Sequence, residues 1–123
     1  MKQVLIVFLG GGLGSALRFL IAKALNPVHD KFFLGTFAVN IIGCLLIGFI
    51  FGLSQRGNLL NSNQTLLLAT GFCGGFTTFS AFAFEKHHLL KAGEPWYFFI
   101  YLASSILLGI FAVALGLWSS RFV

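Results

Sequence analysis

The residues able to do chemistry gather in Gly71-Phe72-Cys73-Gly74-Gly75-Phe76-Thr77-Thr78-Phe79-Ser80-Ala81-Phe82-Ala83-Phe84-Glu85, a segment apolar enough to enter a bilayer. Polar and helix-breaking groups at membrane depth need partners, so their concentration here suggests a site for something small and polar. Adjacent glycines weaken a helix at one point. Carbonyls freed at Gly74-Gly75, with the hydroxyls of Thr77, Thr78 and Ser80, could coordinate a dehydrated cation. A half-helix starting at the threonines would aim its positive dipole end at the membrane centre. Phe79 and Phe82 share a helix face that Phe76 continues backward by nearly one turn. Their positive ring edges could meet an anion, although among 16 phenylalanines such a stripe also suits plain packing. Glu85 lies about two turns beyond the break, as a proton carrier, an anion-pathway residue, or an interfacial residue near Lys86 and His87.

Two more polar residues fall inside apolar runs. Asn40, between Val39 and Ile41-Ile42, offers two N–H donors to a desolvated anion or to a neighbouring carbonyl across helices. Arg18 shares its run with Gly11, Gly14 and Ser15. A mid-span arginine is expensive unless paired or snorkelling, which suits either an anion vestibule or a structural role. Cys44 and Cys73 show neither metal nor redox spacing. No serine, histidine and carboxylate set suggests an enzyme. Gly10-Gly11-Gly12-Leu13-Gly14 lacks the strand, lysine and acidic partner of a nucleotide loop.

The elements that position these groups follow from composition. Of 123 residues, 58% are hydrophobic and 9% charged, with a mean hydropathy of +0.94, against roughly 45–50% and 25% in soluble domains. This predicts an all-α integral membrane protein. A spanning helix takes roughly 20 residues, so four fill residues 1–123 as a single domain. The first span runs from about Val4 to Leu25 and stops at Asn26-Pro27; it is read as part of the folded protein, not as a signal peptide. The second runs from about Phe32 to Leu53, before Ser54-Gln55-Arg56-Gly57-Asn58. Leu59 to Gln64 reads as a loop or surface helix. The third runs from near Thr65 to Leu90, interrupted at Gly74-Gly75, and the fourth from Trp96 to Trp118, with interfacial aromatic ends.

Glycines four apart, Gly10 with Gly14, Gly48 with Gly52 and Gly71 with Gly75, let backbones approach in lipid. The pair Gly74 and Gly75 is read instead as the break. The net charge of +5 is scattered, which argues for anionic headgroups over nucleic acid. Lys2, Arg56 and Arg121 fall on one side and Lys23, Lys31 and Lys91 on the other, so the positive-inside rule selects no orientation. Oppositely inserted copies would form an antiparallel dimer, the two-chain counterpart of an inverted repeat.

Three runs resemble the small Fluc fluoride channels, also called CrcB proteins: Gly11-Gly12-Leu13-Gly14-Ser15-Ala16-Leu17-Arg18-Phe19, Gly35-Thr36-Phe37-Ala38-Val39-Asn40-Ile41-Ile42-Gly43, and Gly74-Gly75-Phe76-Thr77-Thr78-Phe79-Ser80-Ala81-Phe82. The resemblance covers the chain and implies four transmembrane helices with a broken third helix, in an antiparallel, dual-topology homodimer of the bacterial inner membrane. It implies passive, selective export of fluoride, which protects the cell from fluoride toxicity. It also implies a structural sodium ion on the main-chain carbonyls of Gly74 and Thr77 from both subunits. Asn40, Phe79 and Phe82 match the family's pore residues, Ser80, Glu85 and Tyr101 its polar track, and Arg18 the basic residue of the first run. Ala81 and Gly109 depart from that pattern, where the family usually has threonine and serine. The competing reading is a proton-coupled small multidrug exporter using Glu85; a non-transporting assembly protein is a third.

Overall fold

The computed structural model describes residues 1–57 and 59–123. Asn58, the last residue of the polar run after the second span, lies outside the described residues. Helix α1 covers Lys2–Leu25 and passes into a 3-10 turn, Asn26–Val28, where Pro27 ends the α-helical ladder. Helix α2, Leu34–Gln55, begins two residues later than the sequence suggests. The short α3, Ser62–Thr65, opens with a capping box between Asn61 and Gln64. It leads into a π-helical stretch, Leu66–Cys73, then α4, Gly74–Phe76, and α5, Phe79–Lys91. Helix α6, Pro95–Ser119, starts on a proline at its first helical position, where the missing N–H costs nothing.

Among the described residues four helical stretches are long and apolar enough to cross a membrane: Lys2–Val28, Leu34–Gln55, Ser62–Lys91 and Pro95–Phe122. The chain is a multi-pass membrane protein. Its large apolar residues stand outward, among them Phe8, Leu9 and Leu13 of α1 and Leu107, Ile110 and Phe111 of α6, as expected where the surrounding solvent is hydrocarbon.

Residue pairs give the directions. Gly10 meets Gly71 and Gly14 meets Phe76, so α1 runs alongside the first half of the third span in the same sense. Gly48 meets Val113 and Gly52 meets Leu117, so α2 and α6 also run together. Gly43 meets Thr77 and Thr36 meets Glu85, so α2 opposes the third span. The glycine pairs serve close packing, as their spacing suggests. Gly75 does too: a Cβ there would overlap the Gly11 carbonyl and stand 2.9 Å from Gly11 Cα. This corrects the reading of Gly74-Gly75 as the break, for both are helical. Helical geometry stops after Phe76, and Thr77 and Thr78 are extended, with φ/ψ of −84/159 and −150/120.

Candidate functional site

β-Branched threonines are poor helix formers, and here three side chains hold them out of the helix. Thr77 Oγ1 donates to the Cys73 carbonyl at 2.8 Å, doubling the bond made by its own N–H; such back-bonding bends helices. Asn40 of α2 grips Thr78 twice, accepting from its N–H at 2.8 Å and donating to its carbonyl at 3.1 Å. Thr78 Oγ1 then caps α5 by accepting from the Ala81 N–H at 3.2 Å. No backbone group of Thr78 is left facing hydrocarbon, which is the condition for irregular structure at this depth.

The same bonds release carbonyls upstream. In a continuous helix the Thr78 N–H would bond the Gly74 carbonyl and the Ala81 N–H that of Thr77; both N–H groups are committed elsewhere. Gly74 is exposed. The next carbonyl, of Gly75, accepts from Arg18 Nε at 3.0 Å and Ser15 Oγ at 3.3 Å. Arg18 therefore buttresses the interruption from α1, paired with a carbonyl where the sequence left open an anion or a structural role.

Beyond the interruption, Glu85 is buried, at 5% exposure. Thr36 Oγ1 donates to one carboxylate oxygen, and the Tyr101 hydroxyl to the other at 3.4 Å. Asn26 in turn donates to Thr36 Oγ1 at 3.4 Å and accepts from its N–H at 3.1 Å. Tyr101 is fully buried among Phe32, Phe33, Phe37 and Phe82. Glu85 thus sits between α2 and α6 beside the first turn of α2, with Thr36 and, behind it, Asn26 at that end of the span.

Phe79 and Phe82 stand 6.0 Å apart, Phe79 79% exposed. Phe76 does not continue their face, because the extended threonines intervene; it is buried and stacked on Phe72 at 5.5 Å. Ser80 is exposed, its hydroxyl 3.3 Å from Thr78 Oγ1. Asn40, Gly74, Thr77, Phe79 and Phe82 all border one open groove of about 820 Å³ running between α2, the third span and α6. Glu85 and Tyr101 lie behind it. Thus the structure brings Asn40, Gly74, Thr77, Phe79 and Phe82 to one groove, with Arg18 on the far side of the interruption and Glu85 with Tyr101 in a buried cluster beside it.

Sequence reasoning did not single out Thr36, Asn26 or Lys86. Thr36 lies one turn before Asn40 on the same face of α2, a signal that could have found it. Nothing in the sequence places Asn26, beyond the end of α1, against Thr36. Among the described residues no group of three or more His, Cys, Asp or Glu could hold a metal, and both cysteines are free. Any cation held at the interruption would therefore rest on carbonyl oxygens, the hard donors suited to it.

Comparison with known proteins places these features in a family. Residues 5–117 match the family described as CrcB-like protein, Camphor Resistance (CrcB). A protein of Phocaeicola vulgatus named fluoride-specific ion channel FluC is 48% identical over 122 residues, covering 98% of this chain and 100% of the relative. One of the same name from Bacteroides fragilis is 49% identical over 120 residues, 94% of each chain. Another from Chlorobium phaeobacteroides is 47% identical over 124 residues, covering 98% and 96%.

Proposed function

The chain belongs to the CrcB family, and on that premise we propose that it is a fluoride-selective channel, not an enzyme, conducting fluoride passively out of the cell. The observation that carries this reading is the interruption at Thr77-Thr78, held by Asn40 and bordered by the exposed Phe79 and by Phe82 along an open groove. Fluoride is small and tightly hydrated. A pathway for it must replace water with short-range donors and positive ring edges while releasing the ion readily. Phenylalanine edges meet this need without binding tightly, and the second N–H of Asn40, beyond the one spent on Thr78, is a donor at the same place.

A groove bordered by freed carbonyls is costly against lipid. We infer that a second copy closes it, forming a homodimer whose two chains insert in opposite senses; the balanced flanking charges support this. The interruption would then persist as a break in a single third span, and the protein would occupy the bacterial inner membrane. The Gly74 and Thr77 carbonyls of both copies would hold a sodium ion, which supplies fixed positive charge at the centre of the assembly. This chain's own part is to present those oxygens: Asn40 and Thr78 draw away the N–H groups that would otherwise cover them, and Arg18 holds the neighbouring carbonyl. Ser80, Glu85 and Tyr101 would complete a polar track along the pathway.

The exporter reading needs a carboxylate free to exchange protons with a substrate. Glu85 is engaged on both oxygens by Thr36 and Tyr101, so it is not favoured. Liposomes loaded with potassium fluoride and treated with valinomycin test the proposal. Fluoride should leave rapidly, as read by a fluoride electrode, while chloride is retained. Absence of fluoride efflux from dimeric protein would overturn it.

A further inference from the structure

Lys86 is the residue the pathway just described does not use. It follows Glu85 in α5, is 5% exposed, and borders the groove. Its ammonium nitrogen is buried with no hydrogen-bond partner among the described residues. It stands over the rings of Phe82, 4.9 Å from the centroid, and of Tyr101. Ring faces soften the cost of burying a cation but bring no counter-charge.

The chain has three acidic residues to offer. Glu85 is held by Thr36 and Tyr101 and forms no ion pair with its neighbour. Glu94 pairs with Lys31 at 2.7 Å. Asp30 is exposed in the connection ahead of α2. A second copy brings the same three and would close the groove with the same face, which carries no carboxylate. Among the described residues no carboxylate therefore pairs directly with the Lys86 ammonium, and the adjacent Glu85 acts on it only from beyond ion-pair distance.

We infer that the Lys86 ammonium is an anion subsite in the groove, its missing counter-charge a small monovalent anion, and, on the reading of this groove as a fluoride pathway, fluoride itself. Phe82 and Lys86 are one turn apart, so the ammonium carries the track onward from the phenylalanine edges. Ser105 of α6, whose hydroxyl is likewise buried without a partner and which borders the same groove, offers a second donor there. The subsite trades speed for occupancy, because a full charge holds a desolvated anion more firmly than ring edges do.

Thermal unfolding of the purified full-length protein in detergent tests this, with sodium fluoride exchanged for sodium gluconate at constant sodium and ionic strength. Fluoride should raise Tm for the wild type and for Lys86→Arg. Lys86→Met should fold, be at least as stable as the wild type in gluconate, and bind fluoride about tenfold or more weakly, as for a lost charged hydrogen bond. Three results would each overturn the inference: a fluoride-dependent rise unchanged in Lys86→Met, no such rise in the wild type, or a Lys86→Met protein that fails to fold, since protein groups would then be what the ammonium satisfies. Liposome efflux of the wild type is scored separately, so loss of the subsite and loss of the channel reading are distinguishable.

Discussion

The two halves of the third span reach their neighbours by opposite means. From Leu66 to Phe76 the contact with α1 is backbone against backbone: Gly10, Gly14, Gly71 and Gly75 remove the side chains, and a Cβ on Gly14 would stand 2.8 Å from the Phe76 nitrogen. From Phe79 to Lys91 the contact with α2 and α6 is made by side chains, polar and aromatic, with Thr36 and Tyr101 on Glu85, Phe82 beside Tyr101, and Asn40 on the junction itself. The first seam is rigid because in lipid only close packing draws helices together. The second leaves room for a groove. A span joined in one mode throughout would either be sealed or lack an anchor, so the interruption lies where the mode changes.

Substitutions can break this contrast, beginning where the effect is largest. Gly75→Val forces a branched side chain into the Gly11 backbone. It should cost at least about 3 kcal/mol, the upper range for overpacking, and eliminate dimeric protein on size exclusion together with efflux. Asn40→Ala strips both bonds from Thr78. With roughly 1–3 kcal/mol for each buried group left unpaired, we expect a loss of about 2–4 kcal/mol in Tm-derived stability and near-complete loss of fluoride efflux. Comparable efflux from this variant would separate the junction from conduction.

Thr36→Val removes the donor to Glu85 while keeping its volume, and should cost about 1–2 kcal/mol and slow efflux severalfold, leaving the α1 seam intact. A loss as large as that of Gly75→Val would show the two seams to be equally rigid. The smallest effect is expected at Gly109, where a Cβ would meet Cys44 Sγ at an ordinary 3.5 Å. Gly109→Ser, at a buried helix position with room for a Cβ, should shift stability by no more than about 1 kcal/mol, so a change in efflux without a matching loss of stability would report the added hydroxyl and not repacking.

Much was legible in the sequence. Hydropathy and the turn residues Pro27, Gly57 and Pro95 mark four spans within a few residues, because a bilayer demands long apolar runs and breaks them sharply. Glycines four apart likewise declare close contact. The place of the interruption did not follow. Gly74-Gly75 suggests the break, yet these residues are helical and the extended pair is Thr77-Thr78, because Gly75 serves backbone contact with α1 and Asn40 captures the Thr78 backbone from α2. Both reasons lie on other helices.

The sequence alone therefore determined that this is a four-span membrane protein with its polar chemistry concentrated in the third span, since burial in hydrocarbon constrains composition residue by residue. Tertiary structure decided which polar groups are spent and which are free. Arg18 is committed to a carbonyl, Glu85 to two hydroxyls and Lys86 to none. The physical reason is that a hydrogen bond needs two partners at about 3 Å, and for each of these residues the partner lies more than ten positions away or is missing altogether.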